Sequence, residues 1–284
     1  MKILTFQILF IISVVLFVLA ANNIHFKRTL ILNSYSQEFQ KLSETNFFEG
    51  GVKKLYILGH RGYPKKYTEN TIESFKAAIE FGADGVELDV WKTKDGEIVV
   101  SHDSNLQRIF GVDLEIKEST LKEIKEKAPV PTLKEVFETI PYGKIINVEI
   151  KDEEAGDDVV KLVKEYGISE FVIFSSFNHQ LIKKLSEKYA DEKFGYLFDK
   201  SHVYLTLNDL KTMFTPQNIY SANLPVQLLD YDSELFYKLI DLLKYMGKKI
   251  VLWTVNDENI LKKVQVDYII TDDVEKMVKI LKDK

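Results

Sequence analysis

The chain contains no cysteine. Disulfides, thiol nucleophiles and zinc–thiolate centres are thereby excluded, and the redox character of its compartment stays open. Arginine is almost as scarce, with Arg28, Arg61 and Arg108 standing against a background of lysine. There is no excess of positive charge. Acidic residues outnumber basic ones, the formal net charge is -5, and nucleic acid is not an expected partner. No glycine-rich fingerprint follows the first short apolar run after residue 52, which disfavours a dinucleotide-binding fold. The His-x-His that a metal-dependent amidohydrolase carries on its first strand is also missing.

What is present falls into three parts. Residues 3–21 are apolar except for Thr5, Gln7 and Ser13, and Lys2 precedes them. A helix of this length spans a bilayer. Small residues after Val18 also suit a cleaved signal peptide. We read residues 1–21 as a signal anchor or a signal peptide, and expect the rest of the chain to be exported. Membrane contact is expected if the segment is uncleaved. Residues 22–51 are polar and mixed, with a weak helical pattern around Phe39 and Leu42, and read as a stalk or linker ending at Glu49-Gly50-Gly51.

From residue 52 to 284, short β-branched runs alternate with amphipathic helices. Eight such βα-like units in about 230 residues match a parallel TIM (β/α)8 barrel better than an open sheet. Strands are expected at 55–58, 86–90, 98–101, 145–150, 171–174, 194–197, 219–222, 250–254 and 268–270. Residues 104–130 look like an irregular excursion with one short helix.

The first barrel strand runs into Gly59-His60-Arg61-Gly62, placing a ring base and a fixed cation where a strand yields to a loop. In so lysine-rich a chain, Arg61 points to a planar, bidentate binder of an anion. In Val86-Glu87-Leu88-Asp89-Val90 the two acids share one face. The valines and Leu88 suit the outer helix layer, so Glu87 and Asp89 point into the barrel. Two buried carboxylates repel unless a cation or proton sits between them, and a hard divalent cation is the natural partner. Asn147, Glu149 and Lys151 repeat the pattern, adding a third carboxylate and an ammonium. Such a set suits an oxygen-rich anion, with phosphate the obvious candidate. His102 ends another strand, so two histidines can share acid and base work. Asp103 is expected to point away from the His102 ring. Trp253, at the end of the seventh barrel strand, is either a wall against an apolar substrate group or simple core packing. His25, His179 and His202 receive structural readings.

The ordered set of these pieces resembles the glycerophosphodiester phosphodiesterase family. It comprises His60-Arg61-Gly62, Glu69-Asn70-Thr71, residues 82–90, Thr93-Lys94-Asp95-Gly96, His102-Asp103, Pro131-Thr132-Leu133, residues 147–151, Ser175-Ser176-Phe177, Trp253-Thr254-Val255-Asn256 and residues 267–272. The resemblance covers nearly everything after residue 54. It implies a TIM-barrel enzyme hydrolysing small glycerophosphodiesters to glycerol 3-phosphate and an alcohol. His60 and His102 would be the acid–base pair. Glu87, Asp89 and Glu149 would bind one divalent cation, Ca2+ or Mg2+, with Mn2+ a third choice. Arg61 and Lys151 would bind phosphate. Thr68 stands where the family usually has proline, and the segment after His102 is short and rich in lysine and glutamate. Two alternatives remain at this stage: a phospholipase-like enzyme acting on intact lipids, and a non-catalytic surface protein that binds anionic head groups.

Overall fold

The computed structural model describes residues 2–45, 54–214 and 218–282. Eight parallel strands close on themselves: β1 (Tyr56–Gly59), β2 (Gly85–Lys92), β4 (Ile145–Ile150), β5 (Val172–Ser176), β6 (Phe194–Leu197), β7 (Ile219–Pro225), β8 (Lys249–Trp253) and β9 (Tyr268–Thr271). Closure comes from β1, which pairs with β2 on one side and β9 on the other. The short strand β3 (Ile98–Val100) stands outside the barrel as an antiparallel partner of β2. The expected TIM barrel is thus the observed one.

Side-chain alternation divides the core in two. Val86, Leu88 and Val90 of β2 and Ile146, Val148 and Ile150 of β4 point outward into the layer between sheet and helices. Leu58, Ile173, Val251, Tyr268 and Ile270 point inward and fill the lower barrel. The same inward rows carry polar groups nearer the strands' C-terminal ends. The helices start where their sequences supply caps. Thr71 accepts from Ser74 N at the start of Ile72–Glu80, and Thr132 forms a capping box with Glu135.

The excursion after β3 holds two short α-helices, Gln107–Phe110 and Leu121–Lys127, and a 3-10 turn, Ile116–Glu118, between them, where one short helix is expected. It packs a small core of its own around Val99, Leu106, Ile116 and Ile124.

The segment expected to be a stalk belongs to a single helix, Lys2–Thr45. It is not a free tether. Ile31, Leu32 and Tyr35 lie one turn apart on one face and are buried against the barrel. Burying each such side chain contributes roughly 1.5–3 kcal/mol. Tyr35 also donates its hydroxyl hydrogen bond to Leu205 O at 2.6 Å. The Glu49-Gly50-Gly51 junction and most side chains of residues 3–18 lie outside the described residues. Among the described residues no helix is long and apolar enough to cross a membrane.

One ion pair pins the docked helix. Arg28 Nε donates to Asp232 Oδ2, and Arg28 Nη2 reaches Asp232 Oδ1 at 3.0 Å and Glu234 Oε2 at 2.9 Å. Asp232 also caps the helix Ser233–Tyr245 through Leu235 N. Burial alone would raise the Asp232 pKa, but the Arg28 hydrogen bond and charge, together with the hydrogen bonds from the Leu235 and Glu234 backbone N–H groups, outweigh it and hold the carboxyl below its ordinary value. A carboxylate whose folded pKa is depressed contributes stability above its unfolded pKa and loses it as pH falls through the folded value. Asp232→Asn, which keeps a capping oxygen, should therefore cost roughly 1–3 kcal/mol at pH 7. In parallel thermal melts of both proteins, that difference should shrink towards zero as the pH is taken down through the acid range below the usual carboxylate pKa.

Candidate active site

The catalytic end of the barrel is assembled by register. Pairing β2 with β4 sets Glu87 opposite Asn147 and Asp89 opposite Glu149. All four side chains therefore point into the barrel at two adjacent levels. One ligand oxygen from each of Glu87, Asp89 and Glu149 lies within 4.8 Å of the others. Lys151 sits one pair further up, its Nζ 2.8 Å from Glu149 Oε1 and 3.6 Å from Asp89 Oδ1. Glu87, Asn147, Glu149 and Lys151 line one cleft of about 150 Å3 with His60, Arg61, His102 and Trp253; the buried Asp89 is not part of its lining.

The loop after β1 is shaped for this purpose. His60 N donates to Thr271 O of β9 at 2.9 Å. Arg61 then adopts φ +52° and Gly62 φ +91°. A Cβ at Gly62 would lie 2.3 Å from Ser74 Oγ, so only glycine fits there. The turn aims Arg61 N at Glu87 Oε2, 3.0 Å away, and brings Arg61 Nε to 3.5 Å from Asp89 Oδ2. Glu69 accepts from Arg61 Nη1 at 2.8 Å and from Arg108 Nη2 at 2.7 Å, which fixes the guanidinium plane.

Both histidines have a carboxylate on Nδ1. For His60 it is Asp272 Oδ1 at 2.6 Å, and for His102 it is Asp103 Oδ1 at 2.6 Å. Each ring thereby leaves Nε2 for the cleft, and His60 Nε2 is 4.0 Å from Glu87 Oε2. Burial would lower the His60 pKa, but the Asp272 hydrogen bond and the Glu87 charge outweigh it and the pKa is raised. At His102 burial wins over the nearby acids and the pKa is lowered.

Asp103 was expected to point away from His102. It does not, because β3 ends at Val100 and strand alternation stops there. The turn folds Asp103 back, and Arg108 Nε donates to its other oxygen. Three further residues carry the site without having drawn attention by type. Asp272 is one. Asn70, at φ +56°, donates Nδ2 to Asp89 Oδ2 at 2.9 Å. Phe177 stands edge-on to Trp253, ring centroids 5.9 Å apart; Trp253 lines the cleft and also packs against the inward core below it. Barrel closure was the available signal for Asp272. Residues that follow paired strand ends, Gly59 with Thr271, must meet.

The donor set fits a hard cation. Asp89 Oδ1 and Asn70 Oδ1 are buried without a hydrogen-bond partner. Burial and the Asp89 charge push Glu87 up to about 7 and Glu149 up to about 8. Oxygens so crowded and so poorly solvated are stabilised by a divalent ion.

Residues 60–276 match the model of the glycerophosphoryl diester phosphodiesterase family. A glycerophosphodiester phosphodiesterase of Caldanaerobacter subterraneus is 34% identical over 250 residues, covering 81% of this chain and 98% of the relative. The crystal structure of a glycerophosphodiester phosphodiesterase from Thermotoga maritima superposes with a TM-score of 0.71 at 41% identity, covering 81% of this chain and all of that one. An Oleispira antarctica phosphodiesterase, solved with its product sn-glycerol-3-phosphate, shares the fold at a TM-score of 0.66 and 23% identity, over 80% of this chain and 96% of its own. With a closed barrel, an acid-lined mouth and a family match over most of its length, this chain belongs to the glycerophosphoryl diester phosphodiesterase family.

Proposed function

We propose that the chain hydrolyses glycerophosphodiesters to glycerol 3-phosphate and an alcohol, with one divalent cation, Ca2+, Mg2+ or Mn2+, as cofactor. The observation that carries this is the convergence of three buried carboxylates, two carboxylate-backed histidines and two cations on one cleft. Glu87, Asp89 and Glu149 would hold the cation. When bound, it supplies Lewis-acid stabilisation of a phosphate oxygen.

The chain's own groups do the rest. Arg61, its plane set by Glu69, and Lys151, beside Glu149, offset the charge that grows on the phosphorus oxygens. One imidazole Nε2 takes the proton of the attacking hydroxyl, and the other returns a proton to the departing alcohol. Asp272 and Asp103 fix which ring nitrogen is presented. Trp253 and Phe177 form an apolar wall beside the polar centre. A non-catalytic binding role is the weaker reading, since both histidines and all three acids are present and face the same region.

Two outcomes test this. His60→Ala and His102→Ala should each lower kcat on glycerophosphocholine by about a hundredfold or more, read as release of glycerol 3-phosphate. Near-normal turnover in either variant removes that histidine from the mechanism. EDTA should abolish wild-type activity, and one of the three metals should restore it. Glu87→Gln should raise the metal concentration needed for half-maximal rate by roughly tenfold or more. Full activity in EDTA would overturn the metal assignment.

A further inference from the structure

We propose that the N-terminal helix seats the catalytic face of the barrel on a lipid bilayer, so that a monoacyl glycerophosphodiester enters the cleft from the membrane. The inference rests on the phosphodiesterase reading given above.

The direction of the helix is the first argument. In a (β/α)8 barrel the strands run towards the catalytic face and the helices run back from it. The helix Ser233–Tyr245 follows β7 and so begins at the catalytic face. The N-terminal helix lies parallel to it. Arg28 meets Asp232 and Glu234, Ser36 accepts from Lys238, and the Phe39 ring packs against Tyr245 at 4.5 Å. Residues before Arg28 therefore project beyond the catalytic face and not beyond the opposite end. Ala21 stands seven residues further out, about 10 Å at the helical rise.

The mounting is rigid. Besides the Arg28 pair, Glu38 meets Lys211 at 2.8 Å and the Tyr35 hydroxyl is anchored on Leu205 O. A helix fixed in this way dictates the orientation of whatever it is joined to.

The projecting part is apolar on opposite sides. Phe17 and Ile24 are 75% and 53% exposed, and Leu19 and Phe26 are 59% and 64% exposed. At 100° per residue, Phe17 and Ile24 share one side while Leu19 and Phe26 share the opposite one. A second copy packing along a single seam would cover only one of these rows. Exposed apolar side chains on two opposite sides suit lipid, residues 3–21 are apolar in sequence save Thr5, Gln7 and Ser13, and the polar Asn22, Asn23 and His25 then fall at the bilayer surface. Lys27 follows at the level of lipid phosphates.

The barrel contributes a second observation. Among its described residues, Tyr142, Phe177 and Tyr231 are the large apolar side chains left exposed. Two of them, Phe177 after β5 and Tyr231 after β7, belong to the catalytic face. Phe177 is also part of the cleft wall, so the exposed apolar surface continues into the site. The acyl chain would stay in the bilayer while the phosphodiester enters. Water oxygen bonds to phosphorus, the P–O bond to the head-group alcohol breaks, and the alcohol leaves with the proton. A monoacylglycerol phosphate remains in the membrane.

The cysteine-free chain allows a direct test. Lys200→Cys, in the loop after β6, and Tyr142→Cys, in the loop before β4, place one fluorophore at either end of the barrel in the full-length protein. On phosphatidylcholine vesicles carrying a head-group quencher, the label at position 200 should be strongly quenched and the label at 142 little affected. Equal quenching, or stronger quenching at 142, overturns the orientation. Self-association without vesicle binding overturns the choice of lipid as partner. In the full chain, Phe17→Asp with Leu19→Asp should leave turnover of soluble glycerophosphocholine unchanged. It should lower turnover of monoacyl glycerophosphocholine embedded in vesicles by about tenfold or more. Equal rates on vesicles for variant and wild type overturn the inference. Failure of wild type on soluble glycerophosphocholine would instead sink the phosphodiesterase reading, whatever the quenching shows.

Discussion

Asp89 is where the forces in this molecule meet. It is 1% exposed and has Glu87 and Glu149 as close neighbours. An uncompensated group of three acids in so dry a place would cost several kcal/mol. The surroundings read as the answer to that cost. Arg61 Nε and Asn70 Nδ2, from the loop after β1, and Lys151 Nζ, from the end of β4, all approach Asp89. None neutralises it fully, since one of its oxygens still lacks a hydrogen-bond partner. A hard cation held by these oxygens would relieve that shortfall. The left-handed turn at Arg61 and Gly62, the register of β2 on β4, and the Glu69 bridge between two of the chain's three arginines serve this one requirement.

Much of this was legible in the sequence because strand alternation is a strong rule. Glu87 and Asp89 had to share a face, and the apolar residues between them had to take the other. The same logic placed Glu149 and Lys151. It failed at Asp103 for a physical reason: alternation holds only while the backbone stays extended, and β3 ends three residues earlier. Asp272 was legible only through closure of the barrel. Its partner is set by closure of the barrel, which brings β9 beside β1, and no local pattern encodes that adjacency.

The docked N-terminal helix lay between these cases. Ile31, Leu32 and Tyr35 have the spacing of a buried stripe, yet the residues around them are polar enough to read as linker. What fixes the helix is the pairing of Arg28 with Asp232, 204 residues away. A single arginine announces no partner, and the scarcity of arginine in this chain pointed to geometry only at Arg61, beside His60. All three make multiple contacts with carboxylates, where lysine would provide a point charge without a plane.

The bond between His60 and Asp272 spans 212 residues, from the first strand of the barrel to just beyond the last. A ribosome delivers Asp272 212 residues after His60. Until the final strand has emerged and slotted in beside β1, the His60 ring has neither its carboxylate nor the Thr271 carbonyl that holds its backbone. A product terminated before β9 would carry Glu87, Asp89, Glu149 and Lys151 and lack the contact that orients the His60 ring.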